Sequence, residues 1–149
     1  MLLFTSLGSS EIAGAVSKVP LVFVSLSQEV SITDATLTDN ALKAYAEVPY
    51  ETVSTMVPCY LTDVDLVGAA QQGNILFGLT TWASGHQNTQ PTSVQVSAYD
   101  VLDELINYYL DAAKFPNLKA VVIAGHSLGA QMAQRYAAMR TSTTGDDKV

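Results

Sequence analysis

The chain is short of cysteine, of charge and of histidine, and each shortage closes off a class of protein. Cys59 is the one cysteine among 149 residues, so an internal disulfide is impossible and a disulfide-stapled scaffold is excluded. Zinc ligation by cysteine finds no second thiolate. Lysine and arginine number 7 against 14 aspartates and glutamates, a net charge of −7. The basic footprint of a nucleic-acid or anionic-membrane binder is therefore missing. No run of like charge is longer than Asp146–Asp147. No stretch approaches the roughly 18 consecutive apolar residues of a membrane span. G-x-G-x-x-G and G-x-x-x-x-G-K-[ST] are both absent, which leaves no cradle for nucleotide phosphates. Internal repeats and low-complexity tracts are absent too.

What is present is apolar: 48% hydrophobic against 14% charged, the balance of a single domain, residues 1–149, with fully buried strands. Residues 1–19 read as a leader or an irregular N-terminus. Their apolar start suits a secretory leader, while Glu11 and the lack of a basic opening do not, so the compartment stays open. Residues 20–27, "PLVFVSLS", form an apolar β-branched run and read as a strand. Residues 36–49 place Leu37, Ala41, Ala44 and Tyr45 at helical spacing and close on Pro49. Residues 50–61 read as a second strand that Pro58 stops or bends. The segment 62–96 is punctuated by glycine, and its apolar piece "NILFGLTTW" fits a short strand or a loop.

Ser97 caps the next helix, with Asp100 three residues on in a capping-box arrangement. Leu102, Leu105, Ile106, Tyr109 and Ala113 share its apolar face, and Pro116 ends it. Residues 118–125, "LKAVVIAG", form a third strand. A helix follows over 131–140, with Ala133, Tyr136 and Ala137 on one stripe, and residues 141–149 are a polar tail. Strands alternating with helices predict an α/β fold, a mostly parallel sheet with flanking helices. The strand holding Ala120 to Ala124 is expected at an unpaired sheet edge, where it invites self-association.

Between that strand and its helix stands Gly125-His126-Ser127-Leu128-Gly129, a G-x-S-x-G. The pentapeptide alone is modest evidence; its context, a buried strand running in and a helix running out, is far more specific. A nucleophile on so tight a turn is forced into a strained backbone that lifts its hydroxyl above the sheet, and the flanking glycines avoid clashes with neighbouring chain. Ser127 then lies at a helix N-terminus, where free amides and the dipole favour a developing oxyanion, with the Leu128 amide as first donor. The competing reading is a plain Gly-Ser turn with Ser127 as helix cap. Such a cap does not call for both Gly125 and Gly129. His126 adjoins the serine in sequence, but neighbouring side chains in such a turn point apart, so it is read as a packing residue.

In these residues the chain resembles the α/β-hydrolase superfamily, and is most similar to the N-terminal half of bacterial and fungal members. The resemblance rests on "KFPNLKAVVIAGHSLGAQMAQRYA", with a Phe-Pro-x-Leu turn before the elbow, and on "VSAYDVLDELINYYL", "TMVPCYL" and "TTWASGHQNTQP" upstream. It spans about residues 20–140 and is strongest over 95–140. It implies hydrolysis of an ester- or amide-type acyl bond in a small-molecule substrate, through a Ser–His–acid triad and a covalent acyl-enzyme. Ser127 matches the nucleophile and Leu128 the first oxyanion amide. Ser25-Leu26 stands where many members carry His-Gly, so Leu26 matches the second oxyanion amide. No histidine follows the elbow, and the chain is read as a fragment lacking the acid and the histidine of the triad. The alternative is a degenerate, non-catalytic protein of the same fold that serves binding. No cofactor or metal is expected.

Other chemistry-bearing residues have plainer readings. His86 lies in a loop rich in polar residues and reads as solvated rather than as a substitute base. Asp100, Asp103 and Glu104 sit where a helix dipole favours negative charge, and Asp63 with Asp65 lacks a histidine to complete a metal site. Trp82, Tyr108 and Tyr109 read as core or pocket lining.

Overall fold

A computed structural model describes residues 2–5, 21–26, 53–62, 64, 73–141 and 144–149. Four strands, β1 (Leu2–Thr5), β2 (Leu21–Leu26), β3 (Val53–Cys59) and β4 (Ala120–Gly125), make one sheet in the order β1-β3-β2-β4. β2 runs parallel to both β3 and β4, while β1 lies antiparallel on the outer side of β3. The described elements are therefore mixed α/β, with three parallel strands and one antiparallel edge.

β2 and β4 carry apolar, β-branched runs that suit strands; β2 lies between β3 and β4, with Val24 and Leu26 buried, and β4 buries Val121. Within the expected leader or irregular segment, residues 2–5 form a regular strand, with Leu2 paired to Cys59 and Thr5 to Met56; residues 6–19 lie outside the described residues. Pro58 does not stop β3. It lies within the strand opposite Leu3 of β1, two residues past the last pair between β2 and β3, Val24 with Met56. The helix expected over 36–49 and the carboxylates Asp63 and Asp65 lie outside the described residues.

Helix α1 (Ala98–Leu110) starts as expected. The Ser97 hydroxyl accepts from the Asp100 amide at 3.0 Å, and the Ser97 amide donates to the Asp100 carboxylate at 2.7 Å. It ends six residues before Pro116, so Ala113 is exposed beyond the helix rather than on its buried face. The cause is Asp111, whose carboxylate accepts from the Ala113 amide at 2.9 Å and from Lys114 Nζ at 2.6 Å and so turns the chain early. Helix α2 (Leu128–Met139) begins at the elbow itself, three residues ahead of the expected start. Its buried residues are Gly129, Met132 and Tyr136; Ala133 is half-buried and Ala137 exposed, which corrects the expected stripe.

The core lies between the sheet, α1 and a 3-10 helix (Thr81–Ser84) that resolves the ambiguous segment as a loop. Trp82 is buried there, stacked on Tyr60 with ring centroids 5.0 Å apart, and the Tyr60 hydroxyl donates to the Ala98 carbonyl. Tyr109 is buried as expected, whereas Tyr108 is 47% exposed and lines no core. The polar tail is not free-running: Asp146 accepts from Arg140 Nη2 at 2.7 Å, inside a short 3-10 turn (Asp146–Lys148). Among the described residues no helix is long and apolar enough to cross a membrane.

Candidate active site

β4 and β2 run in register up to the pair Leu26 and Gly125. The ladder continues one residue further, where the His126 amide donates to the Leu26 carbonyl at 3.0 Å. The chain then reverses within a single residue. Ser127 has φ 53° and ψ −121°, and among the described residues it is the one non-glycine with positive φ. Helical bonds begin at once: the Gly129 amide donates to the His126 carbonyl at 2.9 Å and the Ala130 amide to the Ser127 carbonyl at 3.1 Å.

This backbone matches the first central position of a type II′ turn, a place for glycine. A serine held there stores about 1–3 kcal/mol of strain, which only a well-fixed surrounding structure can hold. The fixing is visible on both sides. β4 is bonded to β2, and α2 is seated by Met132 and Tyr136, both buried. The Tyr136 hydroxyl donates to Asp103 of α1, and burial first, then that bond, raises its pKa well above the usual phenol range. Arg135 Nη1 donates to the Ala83 carbonyl at 3.2 Å and to Ser84 Oγ at 2.8 Å, which ties α2 to the 3-10 helix under Trp82. Sequence reasoning missed this arginine. Its only signal was a lone cation in a stretch of small and neutral residues, "AQMAQRYAAM".

Ser127 occupies the N-cap position, yet its side chain makes no cap hydrogen bond. The plain-cap reading therefore fails, and the hydroxyl is exposed and uncommitted to the helix. Strain relief follows as a prediction: Ser127→Gly should raise stability by about 1 kcal/mol, the relieved strain exceeding the extra chain entropy of glycine. Urea unfolding of both proteins measures it, and a glycine variant no more stable than its parent would show that the turn is unstrained.

The Leu128 amide is the first of the helix and has no acceptor among the described residues, the situation of every opening N–H of a helix. The dipole of α2 adds partial positive charge at this end of the helix. Leu26 lies at the end of β2 beside the elbow, with its side chain buried and its carbonyl engaged by His126. Gly125 is exposed and Gly129 buried; His126, expected as a packing residue, is exposed instead. His86 lies at the entrance to α1, its amide bonded to Thr81 and its carbonyl to Ala98; no hydrogen bond joins it to Ser127 among the described residues. Asp100 is spent on the helix cap and Asp103 on Tyr136. No group of three or more histidine, cysteine and acidic side chains able to hold a metal occurs among the described residues. Compared with protein-family models, with curated proteins and with solved structures, the chain finds no match in any of the three.

Proposed function

We propose that the chain carries the nucleophile of a serine hydrolase of α/β-hydrolase type, acting on an ester- or amide-type acyl bond. The observation that carries the reading is the backbone of Ser127, at φ 53° and ψ −121° between a parallel strand and a helix, with its hydroxyl left out of the helix cap. A structural turn gains nothing from strain at a serine; a nucleophile gains exposure and a helix N-terminus beside it.

In the proposed reaction Ser127 Oγ attacks the acyl carbon and the carbonyl electrons move to oxygen. The Leu128 amide stabilises that oxyanion; Leu26, expected as the second donor, turns its amide into the ladder with β4 and is not free for that role. Collapse expels the alcohol or amine with a proton and leaves the acyl group on Ser127, and water then releases the acid. Neither His86 nor His126 is hydrogen-bonded to Ser127, so neither is proposed as its base. The 149 residues alone should turn over little or no ester.

Chemical rescue tests this. The chain is incubated with a fluorophosphonate, with and without added imidazole as an external base, and intact mass and peptide mapping read the adduct. The expected result is slow adduct formation at Ser127, accelerated by imidazole and absent from Ser127→Ala. An adduct that ignores the substitution, or none at all with imidazole present, sinks the proposal. The second reading, a non-catalytic binding protein, is favoured by the lack of a histidine hydrogen-bonded to Ser127, and failure of rescue selects it.

A further inference from the structure

The 3-10 helix Thr81–Ser84 is held on three sides. Trp82 stacks on Tyr60, whose hydroxyl donates to the Ala98 carbonyl at the start of α1. The Tyr99 ring of α1 covers Gly85 so closely that no Cβ fits there, and it meets Tyr136 of α2 edge-to-face with centroids 5.7 Å apart. The third side is α2 itself. The Gly85 and His86 amides donate to the Trp82 and Thr81 carbonyls. Ala83 comes next and is fully buried, and its carbonyl accepts instead from Arg135 Nη1 of α2. The same nitrogen donates to Ser84 Oγ, so each of its two hydrogens has an acceptor. A charged donor makes both bonds stronger than neutral ones.

We propose that Arg135 is a positioning residue for the Ser127 site: by clamping α2 to the 3-10 helix it fixes the tilt of α2, and with it the place of the Leu128 amide. The proposal rests on the reading of Ser127 as a nucleophile. The buried residues of α2, Gly129, Met132 and Tyr136, lie along one stripe. Apolar burial is non-directional, so that stripe resists separation from the core better than it resists tilting. Arg135 lies off the stripe, about 100° round the helix from Tyr136, and adds two directional bonds on one flank. Long side chains on a helix run back towards its N-terminus, so the clamp acts on the turn between Tyr136 and the elbow. β4 holds Ser127 from the strand side, whereas the Leu128 amide belongs to the helix and follows it. A tilt of about 5° around Tyr136 carries that amide about 1 Å, over about 12 Å of helix. A displacement of that size costs an active site as much as about a hundredfold in rate.

The test is made on the full chain. Imidazole-assisted labelling by a fluorophosphonate gives the rate at Ser127. Urea unfolding followed by the emission of Trp82, the one tryptophan, gives the folded fraction, so rates are compared between folded molecules. Arg135→Met keeps an unbranched stem and removes the donors; it should label about tenfold more slowly. Arg135→Lys, which can still donate from Nζ, should recover part of the rate. Gln134→Ala, an exposed neighbour, should label at the parental rate. Ser84→Ala removes one of the two bonds and should slow labelling in the same direction, which keeps the test open should the methionine variant fold poorly. A second readout needs no reaction: in backbone amide NMR spectra, Arg135→Met should move the Leu128 and Gly129 signals and leave those of β2 in place. An arginine that merely stabilises would lower the urea midpoint while the rate of the folded protein and the Leu128 signal stay as in the parent, and that result overturns the proposal. A parent chain that never labels sinks the nucleophile reading instead, and the Leu128 signal then decides the clamp alone.

Discussion

Gly125→Ala is expected to lower stability by about 3 kcal/mol, at the top of the usual cost of overpacking. A Cβ at this position lies 2.3 Å from the Gly129 carbonyl oxygen, 2.4 Å from its carbon and 2.6 Å from the Ala130 nitrogen. All three are backbone atoms in the first turn of α2, so no side chain can swing aside. The turn cannot retreat cheaply either, because β4 is held to β2 at Leu26 and α2 is anchored by Met132, Tyr136 and Arg135. Urea and thermal unfolding measure the loss. A variant within about 1 kcal/mol of its parent would mean that strand and helix slide apart easily, against the close-packed interior on which the estimate rests. The proposed nucleophile should suffer too, since a shifted first turn moves the Leu128 amide away from Ser127.

The second large effect is expected at Asn88. Its side chain is buried, 7% exposed, inside the loop that precedes α1. Nδ2 donates to the Pro91 and Val94 carbonyls, both at 2.9 Å, and Oδ1 accepts from the Val96 amide at 2.8 Å. One amide thus satisfies three backbone groups, and its own N–H donates to the Val96 carbonyl at 2.9 Å. Asn88→Ala removes all three side-chain bonds and strands their partners, at an expected cost of about 3 kcal/mol. Asn88→Asp keeps the acceptor and faces two carbonyls with a carboxylate, so it should be no better near neutral pH. Chemical denaturation with near-ultraviolet circular dichroism reads both the stability and the seat of Trp82. A loss under 1 kcal/mol for the alanine variant would show that water replaces the side chain at no great cost.

The parts of the fold that sequence makes legible are those where one local rule is decisive. β2 and β4 stand out because each carries an apolar run rich in β-branched residues, and the start of α1 because Ser97 and Asp100 complete a capping box. G-x-S-x-G between strand and helix marks the turn at Ser127. Where two rules compete, the sequence misleads. Pro116 looks like the end of α1, but Asp111 turns the chain first by gathering the Ala113 amide and the Lys114 ammonium. The start of α2 is hidden because glycine and serine read as turn residues, while the backbone is already helical from Leu128. β1 is too short to announce itself and exists through its pairing with β3. Asn88 follows no periodicity, and Arg135 acts on residues some fifty positions away. Such long-range roles have no local signature.

The pairing of β2 with β4 carries a kinetic consequence. It joins segments about a hundred residues apart in the chain, a large loop to close and a non-local contact that slows folding. The strained turn at Ser127 has no reason to exist until that closure is complete, because only the β2 ladder and the seated helix hold it. Its geometry is therefore acquired with that long-range closure rather than with local helix formation alone. A reagent that reacts with Ser127 during refolding would time the arrival of the native topology.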